Sequence, residues 1–244
     1  MKVKIDGLDI YYEQEGEGDD ILLLHGWGQN KEMMLPLGRK LKARITALDL
    51  PGFGESSEPK KAFTIKDYAS LINKFIIKLK LKNIIIIGHS FGGKIGIYYA
   101  SHYPLSKFVA LASPCFKGDT NSFKTKIIKK IGNIKGFNKF KSWAKDHFGS
   151  TDYKNASPIM KQVLVNSISE DFSIYLKDIK VPTILIWGDK DEAVSIEDGL
   201  KMEKMLKDGA LIKIPNGTHY AYLEYLDYVS NILNAFIEKK EKNK

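Results

Sequence analysis

Ser90 lies in the run Ile84-Ile85-Ile86-Ile87-Gly88-His89-Ser90-Phe91-Gly92-Gly93, a hydroxyl set among small residues at the end of a β-branched stretch. A serine hydroxyl is a poor nucleophile at neutral pH. To attack a carbonyl it needs a general base, and the base needs an acid that fixes its tautomer and stabilises its charge. Those partners are expected later in the chain, on loops that follow later strands. Two loops offer them. Gly188-Asp189-Lys190-Asp191 follows a strand ending at Trp187, and Pro215-Asn216-Gly217-Thr218-His219 follows a strand ending at Ile214. Of the five histidines, His219 alone lies after Ser90 in a loop that immediately follows a predicted strand. Asp189 and Asp191 both remain open as its acid.

The elements that must position these groups follow from periodicity. The four isoleucines read as a strand buried on both faces, and the glycines let the backbone turn sharply into an amphipathic helix starting near Phe91. This is the Gly-x-Ser-x-Gly elbow in its strand, turn and helix setting. Upstream, residues 2–5 and 8–13 alternate as a hairpin around Asp6-Gly7. Residues 21–24 form an interior strand ending in His25-Gly26-Trp27-Gly28, a glycine-rich loop where open α/β sheets place ligands. A helix is predicted over 31–42, with Pro36 and Gly38 as its weak points. A strand at 44–48 leads into the turn-rich loop 49–56. Thr64 and Asp67 make a capping pair for a helix to residue 80, and residues 107–112 form a further strand.

Residues 115–180 break the alternation. Apolar residues there recur at helical spacing, with glycines between, so several helices interrupted by turns are expected. Strands resume at 181–187 and 210–214, with helices over 195–206 and 222–239. The predicted fold class is α/β: a doubly wound, mostly parallel sheet with a helical insertion. Its parts are a core over 1–114, a lysine-rich helical cap over 115–180 and the rest of the core over 181–244.

Composition narrows the partners. A chain of 244 residues is long enough for one sizeable core. The start, Met1-Lys2-Val3-Lys4, lacks a signal-peptide apolar stretch, and no apolar run approaches a membrane span, so a cytoplasmic location is the expectation. The single cysteine, Cys115, excludes an internal disulfide and a multi-cysteine metal site. No histidine or carboxylate spacing suggests a metal, and no cofactor is expected. The formal net charge is +9, yet residues 115–180 hold 13 Lys, no Arg and 6 acidic residues, so the excess is concentrated there. A lysine-preferring surface accounts for it most simply. An acidic carrier or anionic substrate at the cap is the alternative partner, and nucleic acid is disfavoured because no recognised module accompanies the charge.

The motifs His25 to Gly28, Asp49 to Ser56, Gly88 to Gly93, Gly188 to Asp191 and Gly217 to His219, in this order and spanning nearly all of the chain outside the insert, resemble the α/β-hydrolase superfamily, specifically its small esterase-like members with a helical cap. The resemblance implies Ser90 as nucleophile, His219 as general base and Asp191 as the acid. It implies an oxyanion hole from the backbone N–H groups of Trp27 and Phe91, whose side chains would line the acyl pocket or pack in the core. The implied activity is a carboxylesterase cleaving a small or medium acyl ester through a covalent acyl-enzyme. Carbon–carbon bond hydrolases, thioesterases, lactonases and perhydrolases share the triad and stay open as alternatives, as does a non-catalytic ligand-binding protein on the same scaffold.

Other conspicuous residues receive structural readings. His25 is expected to hold the oxyanion loop by hydrogen bonds, His89 to be packed structurally, His102 to interact with a helix end, and His147 to lie at the surface of the insert. Asp49 reads as a turn former, Glu224 as a last-helix residue near the His219 loop and Trp187 as core.

Overall fold

The computed structural model describes residues 1–117 and 156–238. Eight strands form one sheet: β1 (Lys2–Ile5), β2 (Leu8–Glu15), β3 (Asp20–Leu24), β4 (Arg44–Leu48), β5 (Ile85–His89), β6 (Lys107–Leu111), β7 (Thr183–Gly188) and β8 (Gly209–Ile214), in the order β1-β2-β4-β3-β5-β6-β7-β8. The two pairings that involve β2 are antiparallel and the remaining ones are parallel. β3, β5 and β6 are buried along their whole length, as parallel strands covered on both faces must be.

Helices cover the two faces, and successive residues of one strand serve opposite cores. On one face lie α2 (Ile65–Leu79) and α3 (Phe91–His102), where Tyr68, Ile72, Phe75, Ile95 and Tyr99 pack with Leu22, Leu24 and Ile86. On the other lie α1 (Leu35–Gly38), α6 (Ala221–Glu224) and α7 (Leu226–Glu238), where Leu37, Tyr222, Val229 and Leu233 pack with Leu23, Ile85 and Ile87. Each such Leu or Ile contributes roughly 1.5–3 kcal/mol on leaving water. Lys107 Nζ donates to the carbonyls of Phe236 and Ile237, tying the last turn of α7 to the sheet.

Local signals account for most boundaries. Thr64 and Asp67 form a reciprocal capping box at the start of α2, and Ser195 caps α5 (Ile196–Met205). The helix expected over 31–42 is instead a 3₁₀ turn, Lys31–Met33, followed by the four-residue α1. Pro36 lacks an N–H and fits only a first helical turn, so it starts a new segment rather than continuing one. The final helix divides at Tyr225, whose backbone leaves the helical region (φ −119°, ψ 45°). The helix after Ser90 is not amphipathic: α3 is buried from Phe91 through Ile97 and again at Tyr99 and Ala100. It runs between α2 and a 3₁₀ segment, Ser173–Asp178, and so has little free face.

Most of the expected helical cap falls on residues outside the described ones, His147 among them. Within 156–180, α4 (Pro158–Ser169) is capped by Ser157 and packs Met160 onto Gly52, in the loop after β4. Ser157 Oγ donates to Glu58, and Asn166 Nδ2 donates to the Phe63 carbonyl. Lys94, inside α3, donates from Nζ to the carbonyls of Ser167 (2.6 Å) and Glu170 (2.8 Å), serving the C-terminal end of α4. Among the described residues no helix is long and apolar enough to cross a membrane.

Candidate active site

Strand β5 delivers Ser90 to a sharp turn. Its backbone has φ 50° and ψ −111°, a conformation that side chains other than glycine adopt only under strain. The strain is held by close contacts on every side. A Cβ on Gly88 would come within 2.5 Å of the Gly92 carbonyl oxygen, one on Gly92 would overlap the Leu24 carbonyl and lie 2.6 Å from that of His25, and one on Gly93 would overlap the Ser113 hydroxyl. Strand and helix therefore meet only because these positions lack side chains. Phe91 opens α3, so its N–H belongs to the first turn, which the helix's own ladder leaves unpaired.

The turn Gly26-Trp27-Gly28-Gln29 follows β3. Gly28 has φ +72°, and the Gln29 N–H donates to the Gly26 carbonyl at 3.2 Å. His25 fixes the same carbonyl. The Leu50 N–H donates to His25 Nε2 (3.0 Å), so the ring proton sits on Nδ1, which donates to Gly26 O at 2.7 Å. Burial pushes the imidazole down to about 4, so the ring is neutral. In a trans peptide the C=O and the following N–H point opposite ways, so holding the Gly26 carbonyl directs the Trp27 N–H to the other side. His25 thus has the loop-holding role that its position suggested.

Side chains reinforce the arrangement. Phe53 meets His25, Trp27 and Phe91 in edge-on contacts at 5.5, 5.8 and 6.1 Å, and Tyr68 meets Phe91 at 5.1 Å. Such pairs contribute about 0.5–1.5 kcal/mol each beyond their burial. Phe91 is buried in this cluster, and Trp27 is half-buried at its margin. Asp49 does more than form a turn: its buried carboxylate accepts the N–H of Glu55 and both the N–H and the ammonium of Lys31.

Of the two carboxylates left open by the loop after β7, Asp191 meets the histidine. Its Oδ2 lies 2.8 Å from His219 Nδ1, while Oδ1 accepts the N–H groups of Ala193 (2.8 Å) and Val194 (2.9 Å). With Nδ1–H directed at a carboxylate, Nε2 carries the lone pair that a general base uses. Asp189 points elsewhere and accepts the Asn216 N–H at 2.7 Å. That contact and the Lys190 N–H donated to the Gly217 carbonyl at 2.9 Å join the two loops side by side. Gly188 and Gly217 make the approach sterically allowed, since a Cβ on Gly188 would overlap Gly217 O. Glu224, from α6, accepts both the N–H and the hydroxyl of Thr218, at 2.8 and 2.6 Å, and so fixes the residue before His219.

The residue before Ser90, His89, is the one that contacts His219. Among the hydrogen bonds of the described residues none joins Ser90 to His219, but the His89 ring lies 4.8 Å from that of His219, and its Nε2 is 3.0 Å from the His219 carbonyl oxygen. His89 is packed structurally, as expected, and is held well below its ordinary range by burial first and by the neighbouring His219 second. His102 ends α3 with Nδ1 near the Tyr98 carbonyl, the helix-end contact anticipated for it. Cys115 lies in the core with its thiol pushed up to about 12 by burial, so little of it is thiolate at neutral pH. Trp187 is core, its Nε1 donating to Val194 O.

Residues 20–125 match the family model described as the alpha/beta hydrolase fold. The pimeloyl-[acyl-carrier protein] methyl ester esterase of Wigglesworthia glossinidia brevipalpis is 30% identical over 257 aligned positions, covering 90% of this chain and 94% of that protein. Lipase 1 of Psychrobacter immobilis is 27% identical over 261 positions, covering 94% and 81%. Among solved structures, an esterase from Exiguobacterium antarcticum superposes with a TM-score of 0.84 at 23% identity, covering 96% of this chain and 97% of the other.

Proposed function

We propose a mechanism that starts from one premise: the chain belongs to the α/β-hydrolase superfamily and is a hydrolase acting on carboxylic esters. Ser90 is the nucleophile, His219 the general base and Asp191 the acid that orients it. Ser90 Oγ adds to the ester carbonyl as His219 Nε2 takes its proton, and the Asp191 carboxylate stabilises the resulting imidazolium. The N–H groups of Trp27 and Phe91 receive the oxyanion. His219 then protonates the departing alkoxide, leaving an acyl group on Ser90, and water activated by the same imidazole releases the carboxylic acid.

The observation that carries this reading is the Asp191–His219 contact of 2.8 Å, with the His219 ring 4.8 Å from that of His89, the residue before a serine held at φ 50° on a glycine-packed elbow. A chromogenic short-chain ester tests it. Ser90→Ala should lose roughly 10⁴-fold or more in kcat while remaining folded, and turnover equal to wild type would rule the mechanism out.

The preferred acyl group, small or medium, is the finer part of the proposal, with residues 115–180 as the cap that selects it. The lysine excess there suits an anionic acyl carrier, and the relative from Wigglesworthia acts on a carrier-bound methyl ester by its name. A carrier-bound ester turned over no faster than the free ester, with no response to salt, would dismiss that partner. The lone buried cysteine suits a reducing cytoplasm, the location we propose.

A further inference from the structure

Gln29 is nearly buried, 7% exposed, and carries no part of the mechanism above. It holds both ends of Gly26. Its own N–H donates to the Gly26 carbonyl at 3.2 Å, and its side-chain Oε1 accepts the Gly26 N–H at 2.8 Å. Because that N–H is a donor, the amide oxygen must face it, which turns Nε2 the other way. There it donates to the Tyr220 hydroxyl at 3.3 Å, on the residue that follows His219 and 191 positions along the chain.

His89 lies between the same two loops. Its Nε2 is 3.0 Å from the His219 carbonyl and its Nδ1 3.2 Å from Gln29 Oε1. A neutral imidazole has one N–H, so these two oxygens compete for a single proton. With the proton serving the closer His219 carbonyl, the link between the turn and the base loop falls to Gln29's own amide.

We propose that Gln29 is a positioning residue that locks the turn carrying the Trp27 N–H to the loop carrying His219, so that oxyanion donor and general base keep one relative placement. The proposal rests on the assignment of Ser90, His219 and Trp27 given above. A residue of this kind acts on the transition state rather than on substrate binding, because only the developing oxyanion and the moving proton need both loops in register.

Gln29→Met, close in shape and without the amide, tests it. The expected result is a 10- to 100-fold fall in kcat with KM within twofold of wild type. Affinity for a trifluoromethyl ketone, which forms a hemiketal oxyanion with the serine, should fall by the same factor. Gln29→Glu keeps an acceptor for the Gly26 N–H and lets the Tyr220 hydroxyl donate to its second oxygen, so both links persist and it should stay within tenfold of wild type. An unchanged kcat in Q29M, a fall in kcat without a parallel fall in ketone affinity, or unfolding of both variants would overturn the positioning role. Labelling of Ser90 in the wild-type protein by a fluorophosphonate is measured alongside. Absent labelling would remove the Ser90 assignment itself, a result separable from any behaviour of the Gln29 variants.

Discussion

The serine elbow and the loops carrying Asp191 and His219 follow the carboxyl ends of strands of one sheet, yet different physics holds them. At the elbow, Gly88, Gly92 and Gly93 touch backbone or side-chain atoms so closely that no Cβ fits, and the strained Ser90 backbone is trapped sterically. At the ends of β7 and β8 the placement is polar: Asp191 receives two backbone N–H groups and faces His219, while Asp189 and Glu224 each hold the loop after β8. A steric lock yields to any added atom. A polar lock loses one bond at a time.

That contrast predicts a graded series. The largest effect should come from Gly92→Ala, whose Cβ would meet the carbonyls of Leu24 and His25. Overpacking destabilises by about 1–3 kcal/mol, with contact against backbone at the upper end, and misplacing the serine should remove about a hundredfold or more of the activity. Urea unfolding and ester turnover measure both, and a G92A enzyme with wild-type midpoint and rate would break the comparison.

Acid should sharpen it next. His25, in the loop after β3, is buried neutral, and burial pushes its imidazole down to about 4 from the ordinary 6.5. The unfolded chain therefore binds more protons between those values, so the stability present above pH 6.5 is progressively lost as pH falls towards 4. The loss from this residue is on the order of 3 kcal/mol, and His89 is shifted in the same direction. Unfolding free energies measured from pH 7 to pH 4 should fall by that order, and a flat profile would contradict buried neutral histidines.

Glu224→Gln should give the smallest change. Thr218 keeps a partner for its N–H but loses a charged acceptor, and charge-assisted bonds of this kind contribute about 1.5–3 kcal/mol. A kcat lower by about tenfold is expected, with an unfolding free energy lowered by about 1 kcal/mol because the amide oxygen still accepts one of the two bonds. A loss as large as that of G92A would mean that both regions are locked alike.

The same physics decides what the sequence made legible. Steric locks leave glycines at fixed offsets, and the elbow, the loop after β3 and the His219 loop could all be found from them. Long apolar runs placed the buried strands correctly, and the Thr64–Asp67 pair placed α2. Polar locks leave weaker traces. Gln29 and Glu224 are ordinary residues whose partners lie in the fold rather than at a fixed spacing, and Asp49 looked like a simple turn former. The choice between Asp189 and Asp191 could not be made from composition or periodicity, since both follow Gly188 in one loop. The family resemblance pointed to Asp191, and Asp191 is the carboxylate that faces His219 while Asp189 faces Asn216. Lys94 shows the complementary failure: a lysine in a helix suggests a wet face, but here its ammonium is spent on two carbonyls at the end of α4, which helps bury a helix expected to be amphipathic.

The central claim is that Ser90 forms the covalent intermediate. Incubating the folded protein with a fluorophosphonate and reading intact mass, followed by peptide mapping, tests it most directly. One adduct per chain, mapped to Ser90 and absent in Ser90→Ala, is the predicted result. An active enzyme that takes no label at Ser90, or an S90A variant that still takes the same single adduct, would contradict it.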